Sequence, residues 1–191
     1  MKYFFLIASL LVPTIFAYGD ETPPAAETPN ASTSLMALEN VTPEMGITGS
    51  GSTAAWGDYD NDGWVDLYDG RLWHNTLGSN GEGFEQIEMP VTGAGIWADY
   101  DNDGFLDLYI IQQHKLVRFD GEKFVDVSSL LPPKQVIRSY GATWGDFDGD
   151  GFVDLYITGF ETINNSEPIY DIILKNEAGK GFKHVWNARW K

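Results

Sequence analysis

Three stretches of this sequence place aspartate at alternate positions and then once more, in the pattern D-x-D-x-D-G-x-x-D. The first sets Asp58, Asp60, Asp62 and Asp66 around Gly63; the second sets Asp99, Asp101, Asp103 and Asp107 around Gly104; the third sets Asp146, Asp148, Asp150 and Asp154 around Gly151. Four carboxylates in nine residues repel one another strongly unless a cation sits among them. Calcium takes six to eight hard oxygen ligands, and carboxylates at loop positions 1, 3 and 5 converge on one point. Glycine at position 6 permits the sharp turn that brings the chain back. Position 7 offers the backbone carbonyl of Trp64, Phe105 or Phe152, and position 9 a closing carboxylate. Bare Asp/Asn/Gly turns are the competing reading, but three loops in one phase predict calcium, about three ions per chain. Magnesium suits the loops less well, because it prefers a small octahedral site that keeps its waters. An EF-hand needs a bidentate Glu at position 12, where this chain has Asp69, Ile110 and Ile157.

The elements that must hold these loops show in the repeat that surrounds them. Ala55 to Tyr68 reads AWGDYDNDGWVDLY, Ile96 to Tyr109 reads IWADYDNDGFLDLY, and Thr143 to Tyr156 reads TWGDFDGDGFVDLY. The leading aspartates, 58, 99 and 146, are 41 and 47 residues apart. A second element recurs as Phe84-x-x-Ile87, Phe124-x-x-Val127 and Phe182-x-x-Val185, with Leu38-x-x-Val41 ahead of the first loop. Between them run Arg71–Asn75, Lys115–Phe119 and Ile172–Asn176. Each unit therefore reads as four short strands rich in aromatic and β-branched residues, with turns of Gly, Asn and Asp. Strand one ends at the Trp, and the aspartate loop leads into strand two. Four strands at just over 40 residues is the spacing of a β-propeller blade.

The loops, with their flanking W-G-D-Y-D-N-D-G and D-L-Y, resemble FG-GAP/VCBS-type repeats, and Tyr140-Gly141-Ala142 and Gly93-Ala94-Gly95 echo the family's signatures. The resemblance covers about residues 38 to 187. It implies integrin-α-like, calcium-containing propeller blades used for adhesion, ligand binding or display. The expected fold is all-β, with about three four-stranded blades in residues 37–191. A closed propeller has at least four blades, so a partial or open propeller is expected. Missing C-terminal blades are the first explanation; an open array or closure by self-association are the others. Leu38 to Val41 reads as the last strand of a blade.

The rest of the sequence narrows the function. Met1-Lys2 followed by an apolar run from Tyr3 to Val12 predicts a signal peptide over 1–19, too short for a membrane span. Residues 20–36, rich in Pro, Thr and Ala, read as a flexible linker. The expected location is secreted, extracellular or periplasmic, with no transmembrane span after cleavage. A formal charge of -16 argues against nucleic acid or an anionic membrane as partner. The absence of cysteine excludes disulfides, thiolate zinc sites and a cysteine nucleophile.

His74, His114 and His184 share no ligand spacing and read as surface or satisfied side chains. No catalytic motif is present, so the chain is not expected to be an enzyme. Trp56, Trp97 and Trp144 recur in phase and are expected between blades, whereas Trp73, Trp186 and Trp190 are candidates for a ligand surface. Sequons at Asn30, Asn40 and Asn164 matter only in a eukaryotic source. The expected function is a calcium-stapled binding or adhesion scaffold with a protein or glycan ligand at the cell surface. A lectin-like propeller and a fragment of a polysaccharide-acting enzyme are the alternatives.

Overall fold

The structure is a computed structural model that describes residues 39–48, 53–134, 139–159 and 170–189, with backbone alone at 170 and 186–189. The expected signal peptide, the linker, the sequons at Asn30 and Asn164 and the side chains of Trp186 and Trp190 lie outside the described residues.

The described strands form three four-stranded antiparallel sheets, each following chain order. The first holds β1 (Ala55–Gly57), β2 (Asp66–Tyr68), β3 (Leu72–Asn75) and β4 (Phe84–Ile87). The second holds β5 (Gly95–Ala98), β6 (Asp107–Ile110), β7 (Lys115–Phe119) and β8 (Phe124–Asp126). The third holds β9 (Ala142–Gly145), β10 (Asp154–Ile157), β11 (Tyr170–Asn176) and β12 (Phe182–Arg189). Among the described residues the helical segments are two short 3₁₀ turns, Thr76–Ser79 and Ser128–Leu130.

One register repeats in all three opening hairpins. Trp56, Trp97 and Trp144 pair with Leu67, Leu108 and Leu155, and the next residue of each pairs with the last aspartate of its loop. Pairing thus runs one residue beyond the Trp, because that aspartate opens the returning strand. Side chains alternate between the faces of a strand, and here both faces are apolar. The central sheet is consequently covered on both sides, and β6 is buried along its whole length. Leu108, Ile110, Val117 and Phe119 share a core with Tyr59, Tyr68 and Leu72 of the first sheet. Tyr109 and Leu116, on the opposite face, share one with Leu155, Ile157, Ile172 and Leu174 of the third. The cores lie between sheets, as propeller-type blades require.

The second and third sheets each send their tryptophan back onto the sheet before. Trp97 stacks on Tyr59 at 6.4 Å and meets Tyr68 edge-on at 5.7 Å. Trp144 meets Tyr109 edge-on at 6.2 Å and donates its Nε1–H to the Ile96 carbonyl at 3.4 Å. Polar clips cross the same boundaries. The Leu106 N–H donates to the Tyr59 carbonyl at 3.3 Å. The fully buried Asn176 donates its Nδ2 to the Tyr100 carbonyl of the second sheet at 2.7 Å and to the Val153 carbonyl of its own at 3.1 Å.

The structure corrects three expectations. Residues 39–48 hold no strand: Val41 to Gly46 form a turn in which the Met45 N–H reaches the Val41 carbonyl at 3.0 Å. Pro43 has no N–H for a ladder and Gly46 sits at φ 83°, so the segment curls, and the Met45 carbonyl accepts from the Phe84 N–H at the outer edge of β4. Trp56 packs between no two of the described sheets, because none of them precedes it; it is 59% exposed beside Phe84. Trp73 offers no ligand surface. It is buried, with its Nε1–H on Asp69 at 3.1 Å and the Arg71 guanidinium over its ring.

Candidate metal centres

The aspartate loops fold as their residue types demand. Position 4 lies in the left-handed region (Asn61 φ 61°, Asn102 φ 59°, Gly149 φ 77°), and so does position 6 (Gly63 φ 90°, Gly104 φ 95°, Gly151 φ 89°). Asn and Gly occupy that region at least cost. The position-1 carboxylate wraps the turn by accepting the position-6 N–H: Gly63 to Asp58 at 3.1 Å, Gly104 to Asp99 at 3.0 Å and Gly151 to Asp146 at 2.9 Å. The position-5 carboxylate caps the N–H two residues on, as Trp64 to Asp62 at 2.8 Å, Phe105 to Asp103 at 3.0 Å and Phe152 to Asp150 at 3.0 Å.

Position 9 does more than close a ligand set. Asp66, Asp107 and Asp154 are buried. One carboxylate oxygen of each accepts the N–H of loop position 2: Tyr59 at 3.2 Å, Tyr100 at 3.3 Å and Phe147 at 3.1 Å. The other accepts an N–H of the third strand: Asn75 at 2.8 Å, Phe119 at 3.0 Å and Asn176 at 2.8 Å. This aspartate ties the loop to the sheet. Spacing alone carries no sign of that role, because the third-strand partner lies 9, 12 and 22 residues away.

Positions 1, 3 and 9 converge. One oxygen from each of Asp58, Asp60 and Asp66 lies within 4.8 Å of the other two, and the same holds for Asp99, Asp101 and Asp107 and for Asp146, Asp148 and Asp154. The position-5 carboxylates fall outside these trios; Asp62 instead joins Asp60 and His74 in a second group. A donor set of hard carboxylate oxygens fits calcium. Two further observations support the fit. Asp58 Oδ1 and Asp101 Oδ1 are buried without a hydrogen-bond partner among the described residues. Burial, with Asp101 and Asp103 nearby, pushes the Asp107 carboxyl up to about 8 against the hydrogen bonds from Phe119 and Tyr100. Burial likewise raises Asp66, and burial with Asp103 raises Asp101. A bound cation relieves that penalty by favouring the charged carboxylates.

The repeat also supplies its own basic group. His74, Arg118 and Lys175 occupy one register position on the third strand of each sheet, one residue past Trp73, Val117 and Leu174. His74 Nδ1 lies 3.1 Å from Asp66 and 3.6 Å from Asp60. Arg118 reaches Asp101 at 3.4 Å. Lys175 pairs with both Asp148 and Asp150, the latter at 2.8 Å. The common register shows this set, whereas comparing histidines alone hides it because each repeat uses a different basic residue. His114 is set apart from the loops. Its Nε2–H donates to the Pro132 carbonyl at 3.0 Å and its Nδ1 accepts the Tyr109 hydroxyl at 2.9 Å, which fixes one neutral tautomer.

A family model of the FG-GAP-like repeat matches residues 99–157. That stretch runs from the second aspartate loop through the second sheet to the end of the third sheet's opening hairpin. No curated protein and no solved structure matches the chain. Residues 99–157 thus carry an FG-GAP-like repeat, set in an all-β fold of propeller-type blades. No helix among the described residues is long and apolar enough to cross a membrane.

Proposed function

We propose that this protein is an exported scaffold whose blades are stapled by calcium and whose surface binds a protein or glycan at the cell surface. The observation that carries the reading is the threefold recurrence of converging carboxylates over a buried, hydrogen-bonded aspartate. Asp58, Asp60 and Asp66, with their counterparts in the other loops, would hold the ions. A bound ion there would supply charge neutralisation among these carboxylates. The protein's own residues do the rest: position-1 and position-5 carboxylates shape the turn, and position 9 ties it to the third strand. The carboxylate trios recur once in each of three loops rather than at one place, so the sites are read as structural rather than catalytic. The signal-peptide pattern at 1–19 supports export, and in a cysteine-free chain bound ions would stand where disulfides often do.

Isothermal calorimetry with calcium on the chelator-treated protein tests this. About three sites are expected, each adding about 2.7 kcal/mol of stability at 100-fold excess over its Kd. Asp60→Asn, Asp101→Asn and Asp148→Asn should each remove one site while sparing the buried position-9 tie. Lys175→Ala should tighten the third site, because the ammonium and the ion seek the same carboxylates. Calorimetry without binding heat, together with a melting curve unmoved by excess chelator, would sink the calcium reading.

A further inference from the structure

The same interface is built twice inside this chain, and its two halves recur unpaired at the ends of the series. Behind each boundary the trailing sheet offers a glycine- or alanine-floored socket walled by a position-2 aromatic and a second-strand tyrosine. Ahead of it the next sheet offers a tryptophan with the aliphatic residue at loop position 8. At the first boundary, Trp97 and Leu106 sit over Gly57 so closely that a Cβ there would meet both side chains at 3.0 Å. Tyr59 and Tyr68 wall the socket. At the second boundary Trp144 and Val153 pack on the core that contains Tyr100 and Tyr109.

The counterparts beyond these boundaries are open. On the first sheet Trp56 is 59% and Val65 53% exposed. On the third, Gly145 holds the place of Gly57, and a Cβ there would meet nothing within 4 Å. Phe147 is 55% exposed, and a cavity of about 210 Å³ is lined by Trp144, Gly145, Phe147, Tyr156 and Ile173. One exposed plug and one empty socket of the type it fills are therefore present on a single chain.

We propose that the socket of one copy receives Trp56 and Val65 of a second copy, head to tail, and that two copies pair through two such contacts. Propellers close with four to eight blades, and the three described sheets of two copies give six. A heterologous contact of this kind either closes into a ring or runs on as a filament, and six blades fall within the range that closes. The copy-to-copy contact lacks one element of the internal ones. Asn61 and Asn102 reach forward to the Gly104 and Gly151 carbonyls, but Gly149 stands in their place on the third loop. The association therefore rests on the aromatic plug and is weaker than the internal boundaries. Asp146 and Asp154 of the third aspartate loop also line the cavity, so an ion in that loop would bear on the contact, and association is measured with and without calcium.

Sedimentation velocity from low-micromolar to submillimolar protein, with calcium and with chelator, tests the proposal on the whole chain. The wild-type chain should move from one chain toward two as concentration rises. Trp56→Glu changes an exposed residue and so should leave the fold intact, yet weaken association at least about 30-fold, as removal of a central tryptophan plug does. Gly145→Phe should do the same by filling the socket. Mixed one to one, the two variants should regain part of the association, because one keeps the socket and the other keeps Trp56. A wild-type chain that stays single throughout the range overturns the proposal and means that the chain itself or further blades cover these faces. A Trp56→Glu variant that pairs as tightly as wild type overturns it as well.

Discussion

Replacing Asn176 by alanine should weaken the protein out of proportion to the size of the change. The amide is fully buried and fully used. Nδ2 donates to Tyr100 across the sheet boundary and to Val153 within its own sheet, while the side-chain oxygen accepts the Gly179 N–H at 2.8 Å. Alanine removes all three bonds and strands two carbonyls and one N–H. A typical net contribution of about 1 kcal/mol per hydrogen bond gives roughly 3 kcal/mol, and unsatisfied buried groups push the loss higher. For a folded unit of this size, 3 kcal/mol lowers the melting temperature by roughly 6–12 °C. Asn75 is the internal control, because it holds the same register position in the first sheet but reaches only Val65 and Leu77. Asn75→Ala should cost about 2 kcal/mol by the same reckoning. Differential scanning calorimetry of both variants at saturating calcium makes the comparison. If Asn176→Ala melts no lower than Asn75→Ala, the cross-sheet bond to Tyr100 contributes nothing and the account of the boundary is wrong.

Two other outcomes follow from the geometry. Gly57→Ala drives a methyl against Leu106 and Trp97, so it should destabilise by about 1–2 kcal/mol despite the stiffer unfolded chain. Gly145→Ala enters open space at the matching position and should stabilise by about 0.4–1 kcal/mol; urea denaturation of the pair reads the opposite signs. His114 should make stability fall on acidification, because its burial, with Lys134 nearby, lowers its pKa below 6.5. Above 6.5 the imidazole is neutral in both states and its contribution is complete. As pH drops below 6.5 the unfolded chain takes up the proton first, and that contribution is lost. His114→Gln should flatten the difference in urea midpoint between pH 7.5 and 5.5, and an unchanged slope would show that His114 does not titrate with folding.

The sequence by itself determined the blade and its loop. Period-two apolar runs, the phase of Trp and Asp-Leu-Tyr, and glycine at position 6 are local signals, and β3, β4, β7, β8 and β11 form where those signals placed them. It also marked the aspartates of positions 1, 3 and 9, which converge in each loop, whereas those of position 5 fall outside the trios. Long-range pairing decided the rest. Leu38 to Val41 carries the apolar spacing of a strand, but residues 39–48 make a turn because Pro43 and Gly46 curl the chain against β4. Position 9 became a tie as well as a donor only when the third strand brought its N–H groups alongside. The three tryptophans are alike in sequence and differ in space: Trp97 and Trp144 each have a sheet to lean on, and Trp56 has none among the described residues. A repeat specifies the shape of each face through local residue choice, whereas burial of that face depends on its neighbour in space.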